Sequence, residues 1–191
     1  MKNKQGMTSF AQWGVEGKVM GSTEGDTQAR FQLLWRGRED SLPLGVRAAA
    51  VHVDRVSGLR VAVLRVPGPL CSATVVVPTE PECGDTRGLP HCLEHLVFLG
   101  TRDEPRGFLD TFAVRCLTPG TNAFTAEDHT EYTVTGAGAA GVCRLLPHFL
   151  RHVFAPELTL EGLLTEVHHY DHAHGASAGV VFSEIAGREN S

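Results

Sequence analysis

His91-Cys92-Leu93-Glu94-His95 constrains this chain more than any other stretch, because two imidazoles four residues apart share one face only where the segment is an α-helix. From that face both rings can bind one metal ion, with Glu94 within reach of a water held beside it. A metal-activated water with a carboxylate base is the minimum equipment for hydrolysing a peptide bond. Gly88-Leu89-Pro90 supports the helix, since proline is tolerated in a first turn where its missing N–H is not needed. Leu93, Leu96, Val97 and Leu99 give it an apolar side.

The surrounding pattern predicts a mixed fold. Phe31–Trp35 reads as a short strand, and the runs Ala48–Val53 and Leu59–Val66, separated by Ser57-Gly58, read as a hairpin. Ala73–Val77 is a third β-rich run, and three in quick succession predict one antiparallel sheet. Thr121–Thr125 and Thr130–Val134 flank an acidic turn and form a second hairpin. Phe108–Ala113 reads as a short helix. Val142, Leu145, Leu146, Phe149, Leu150 and Val153 recur at helical spacing up to Pro156, and a last helix begins near Ala178. The fold class is α+β, an antiparallel sheet with helices packed on one face.

Composition narrows the function. A chain of 191 residues, 42% hydrophobic and 20% charged, has material for one sizeable core. Its formal charge of -5, without a Lys/Arg run, lacks the footprint of nucleic-acid or anionic-membrane binding, so neither partner is expected. No apolar stretch is long enough to span a bilayer, and MKNKQGMTSFAQWG has no apolar segment behind its basic start. Cys71, Cys83, Cys92, Cys116 and Cys143 are odd in number and contain no CxxC pair, which fits free thiols in a cytoplasmic protein. Residues 1–27, rich in Gly, Ser, Thr and Gln, read as a flexible leader.

GLPHCLEHLVFLGT, residues 88–101, resembles the active-site helix of the pitrilysin/insulinase family of zinc metallopeptidases, whose His-x-x-Glu-His order inverts the commoner His-Glu-x-x-His signature. TNAFTAEDHTEYTV, residues 121–134, resembles that family's strand pair beside the active site, and GVVFSEIAGREN, residues 179–190, the helix that supplies a third ligand. The intervening LTEVHHYD most resembles a large, mainly cytosolic branch of the family. The resemblance runs over roughly residues 48–190. It implies that residues 28–191 are a pitrilysin-like N-terminal domain, incomplete at its C-terminal end, from a clamshell of several such domains.

The same resemblance implies a zinc ion held by His91, His95 and Glu184, leaving a fourth position for water and Glu94 free as general base. Asn122 and Ala123 are the positions where a strand edge would align the backbone of a peptide or unfolded polypeptide substrate. Two functions stay open: a zinc metalloendopeptidase, or a catalytically inactive chain that keeps the fold and binds zinc as an assembly or regulatory subunit. The sequence ends seven residues after Glu184, within a predicted helix, so a fragment is expected. Where many relatives carry a further acidic residue, Ser177 stands, with Glu166 and Asp171 the nearest upstream candidates. His168, His169, His172 and His174 read as a solvated hairpin or, alternatively, a second metal site, and Cys92 as a packing residue.

Overall fold

A computed structural model describes residues 30–79 and 88–189, so the leader and Cys83 lie outside the described residues. The chain divides into two compact units, Met1–Gly68 and Pro69–Ser191.

In the first unit, β1 (Phe31–Arg36), β2 (Ala48–Asp54) and β3 (Arg60–Arg65) form an antiparallel meander in that order. The register of β1 shifts between Leu33 and Trp35, the mark of a bulge. The β2–β3 turn uses Gly58 at φ +75°, a conformation that side chains with a Cβ resist. Asp54 closes this turn from a buried position. Its two oxygens accept from Arg30 Nε and Nη2, both at 2.9 Å, and from the Ser57 hydroxyl at 2.6 Å. The Arg30 bonds first, and Ser57 second, hold the Asp54 carboxyl well below the usual carboxylate range.

The third β-rich run does not join this sheet. β4 (Leu70–Pro78) instead belongs to the second unit, where it pairs with β6 (His129–Ala137), which pairs in turn with β5 (Thr121–Thr125). The reason lies in Pro67-Gly68-Pro69. Both prolines lack a ladder N–H, and Gly68 at φ +133° redirects the chain between them.

Strand alternation then builds the second core. Cys71, Ala73, Val75 and Val77 of β4 pack with Tyr132 and Val134 of β6 on one face. The opposite face carries hydroxyl pairs, Ser72 with Thr135 at 2.6 Å and Thr74 with Thr133 at 3.0 Å. Helices α1 (Leu89–Val97), α2 (Phe108–Arg115) and α3 (Ala139–Phe154) bury Val97, Leu109, Ala113, Val142, Leu145 and Phe149 against the apolar face. The α+β expectation therefore holds, with these helices on one side of an antiparallel sheet. Gly141 of α3 lies so near the Cys116 carbonyl oxygen that a Cβ there would collide with it.

Beyond α3 come α4 (Leu160–Glu166), a small hairpin of β7 (His169–Asp171) and β8 (Ala176–Ala178), and α5 (Val180–Glu189). Helix α4 is absent from the sequence reading. It is short and contains Gly162, but Thr159 caps it by accepting the Gly162 N–H at 3.0 Å. No helix among the described residues is long and apolar enough to cross a membrane.

Phe149 is fully enclosed, so Phe149→Ala should cost about 3–5 kcal/mol, read from the shift of the urea midpoint. For the first unit the sign follows from a folded-state pKa below the unfolded value of about 3.9. The stabilisation from Asp54 is present above that unfolded value and lost as pH falls through the folded one. Amide protection factors in β1–β3, taken against the intrinsic exchange rate at each pH, should fall in acid, and Asp54→Asn should flatten that dependence.

Candidate metal centre

Helix α1 begins at Gly88, whose φ of +81° turns the chain into it, with Pro90 in the first turn and the Cys92 N–H donating to Gly88 O at 2.8 Å. Leu96 and Val97 are buried, anchoring one side. Cys92 is half-buried, and burial pushes its thiol up, so it stays protonated at neutral pH. The anchoring leaves His91 and His95 on a common side, their rings edge to face at a centroid distance of 4.9 Å.

Glu184 comes from α5, whose start is tied to the end of α4. Gly179, at φ +134°, presses against the Val167 carbonyl where a Cβ would collide. Val167 O also accepts the Phe182 N–H at 3.2 Å, the Ser183 hydroxyl donates back to Gly179 O at 2.7 Å, and Val181 is buried. On the next turn of α5, Glu184 reaches α1.

Three donor atoms meet there. His91 Nε2 stands 3.0 Å from Glu184 Oε2 and 3.3 Å from His95 Nε2, and the third side, His95 Nε2 to Glu184 Oε2, is 3.6 Å. Metal–ligand bonds of about 2.0–2.1 Å in tetrahedral geometry place their donor atoms roughly 3.3–3.4 Å apart, so the observed triangle matches one face of such a tetrahedron. Hydrogen bonding alone serves it poorly, because a neutral imidazole whose Nε2 proton goes to Glu184 cannot also share it with the second ring. A cation satisfies all three lone pairs at once. Among the described residues this is the one group of three or more such donors brought together.

Glu94 stays out of that triangle. Its Oε2 accepts the Thr125 hydroxyl at 2.5 Å, and Thr125 Oγ1 lies 3.2 Å from the hydroxyl of buried Thr130, its partner across the β5–β6 pair. Tyr132 of β6 is buried. Its phenol is pushed up to about 12, chiefly by burial and then by the charge of Glu94.

Among the described residues β5 is an edge strand of the sheet, and its alternation separates the two predicted substrate positions. Ala123 packs towards the core, on the side that Thr125 shares, whereas Asn122 and Phe124 are exposed on the other. Phe124 meets His129 edge to face at 5.8 Å.

The acidic candidates upstream of Glu184 have other partners. Glu166 is buried and accepts from Arg106 at 2.8 Å, and Asp171 pairs with His174 at 2.6 Å, a bond that lowers the Asp171 pKa. Ser177 is exposed on β8, opposite Tyr170. The four histidines from His168 to His174 lie in and around the β7–β8 hairpin, where His168 packs on Phe182 and His172 on Tyr170. They do not converge on a common point. Sequence reasoning singled out neither Thr125 nor Thr130 by itself. The signal was the period-two pattern of Thr121, Ala123 and Thr125, which puts a hydroxyl on the core-facing side of an edge strand.

No protein-family model matches the chain. An uncharacterised protein of Caenorhabditis elegans is 42% identical over 82% of the chain and 16% of its own length. One of Saccharomyces cerevisiae is 46% identical over 61% of the chain and 11% of its own. The mitochondrial presequence protease of Danio rerio is 33% identical over 54% of the chain and 11% of its own. The chain thus spans about a sixth or less of the length of these relatives, and over about half of its own length it is distantly similar to a protease.

The position of Tyr132 can be checked directly. One of the two tyrosines should ionise only near pH 12 by phenolate absorbance, and Glu94→Gln should lower that value part of the way, burial being the larger cause. With the folded pKa above the unfolded value, the stabilisation is complete below about pH 10 and lost as pH rises through about 12.

Proposed function

We propose that this chain carries the metal-binding and proton-transfer residues of a zinc metalloendopeptidase of the pitrilysin/insulinase type, within that family's N-terminal domain. One observation carries the reading: Nε2 of His91, Nε2 of His95 and Oε2 of Glu184 converge at 3.0–3.6 Å, while the intervening Glu94 is held out of the set. The distant similarity to a mitochondrial presequence protease supports it from a separate direction.

His91, His95 and Glu184 would hold a zinc ion, which would supply a Lewis acid and bring the pKa of a water beside it down to about 7. Glu94 takes a proton from the attacking water and hands it to the leaving nitrogen as the C–N bond breaks, acting first as base and then as acid. The edge of β5, unpaired among the described residues, offers backbone N–H and C=O groups to an extended polypeptide, which pairs with it as an added strand near Asn122 and Ala123. Recognition through main-chain groups suits peptides and unfolded chains, whose backbones are free to pair.

Purified chain should hold one equivalent of zinc and cleave a quenched peptide in a chelator-sensitive manner. Glu94→Gln should keep the zinc and lose at least about 100-fold in turnover, the scale of a general-base contribution. His91→Ala, His95→Ala and Glu184→Gln should each lower zinc occupancy. Full activity in Glu94→Gln would sink the role given to that carboxylate. Stoichiometric zinc without any cleavage would mark the chain as a metal-binding, non-catalytic subunit.

A further inference from the structure

We propose that Thr125, backed by Thr130, is a positioning residue that fixes the Glu94 carboxylate in the orientation its proton transfer needs and keeps it from becoming a fourth metal ligand. The inference rests on the reading of Glu94 as general base.

The donor arithmetic sets the direction of this relay. An ionised carboxylate only accepts, so the single Thr125 proton is committed to Glu94 Oε2. The contact between Thr125 and Thr130 must then run the other way, with the Thr130 hydroxyl donating to Thr125 Oγ1 at 3.2 Å. Thr130 is buried on β6 directly across from Thr125, so sheet register holds both hydroxyls in line. A glutamate on α1 is otherwise a flexible arm beside two imidazoles, one residue from His95 and three from His91. Metal affinity would draw it into the open position. The bond to Thr125 restrains Oε2 towards the sheet and leaves Oε1 as the oxygen that receives the proton.

Thr125→Val keeps the β-branched shape suited to a strand and removes only the donor. In the zinc-loaded chain this variant should lose about 10–100-fold in kcat with KM unchanged, and Thr125→Ser should recover most of it. Cobalt-substituted Thr125→Val should show an altered d–d spectrum, reporting the carboxylate's entry into the coordination sphere, while Thr125→Ser should match the parent. Thr130→Val, which leaves the Thr125 donor in place, should show a smaller effect of the same kind. In metal-free chain, Thr125→Val should lower the urea midpoint, and that shift should vanish in a Glu94→Ala background. Coupled midpoints with an unchanged kcat and cobalt spectrum would overturn the positioning role, and uncoupled midpoints would overturn the contact itself. A parent chain that binds cobalt but cleaves nothing would count against the peptidase reading alone, because the spectrum and the midpoints still decide whether Thr125 restrains Glu94.

Discussion

Glu184 stands 93 residues from His91 in the chain and 3.0 Å from it in space, and the second unit is built around keeping that separation closed. Long loops close at modest entropic cost, but holding a donor atom to a few tenths of an ångström needs rigid support at both ends. Here α1 is anchored by Leu96 and Val97, and α5 by Val181 and by the Gly179–Val167 contact. Helix α4 links the two. It carries Glu166 to Arg106 in the loop after α1, and the Val167 carbonyl at its end accepts the Phe182 N–H of α5. A Cβ at Gly179 would shift the start of α5, and with it the third corner of the triangle.

The loop between α1 and α2 is held by a second charged knot. Glu104 is buried, and its Oε1 accepts from His148 at 2.6 Å and from Arg151 at 2.7 Å, both on α3. His152 Nδ1 stands 3.3 Å from the other oxygen, and Phe108 and Phe112 pack against the His148 ring. A carboxylate removed from water is tolerable only with partners of this kind. The knot ties the loop that follows α1 to α3, the best-packed helix of the core, so the helix carrying His91 and His95 is followed by a segment held to that core.

Legibility in the sequence followed the range of the interaction. The histidine pair was readable because an i, i+4 spacing has one geometric meaning on a helix, and α3 because its apolar positions recur over several turns despite the internal Pro147. Glu184 came only through resemblance, since no local pattern says that an acidic residue on a late helix will fold back onto an early one. Strand β4 was assigned correctly as a strand and to the wrong partners. The run itself shows in composition, whereas pairing depends on the break at Pro67-Gly68-Pro69. Glu104 looked like an ordinary loop acid because its three basic neighbours lie more than forty positions away. Thr125 was hidden for the same reason, its partner Glu94 being 31 residues distant.

The edge of β5 carries a further consequence. A strand left unpaired on one side is a template for any extended chain, including another copy of this protein. Its brevity limits that hazard, because five residues offer few main-chain hydrogen bonds to a casual partner. The adjoining turn adds Glu127 and Asp128, so two such edges approaching one another meet like charge. The short length and local acidity of this hairpin thus act as a guard against self-assembly, strongest at low ionic strength and weakened as salt screens it.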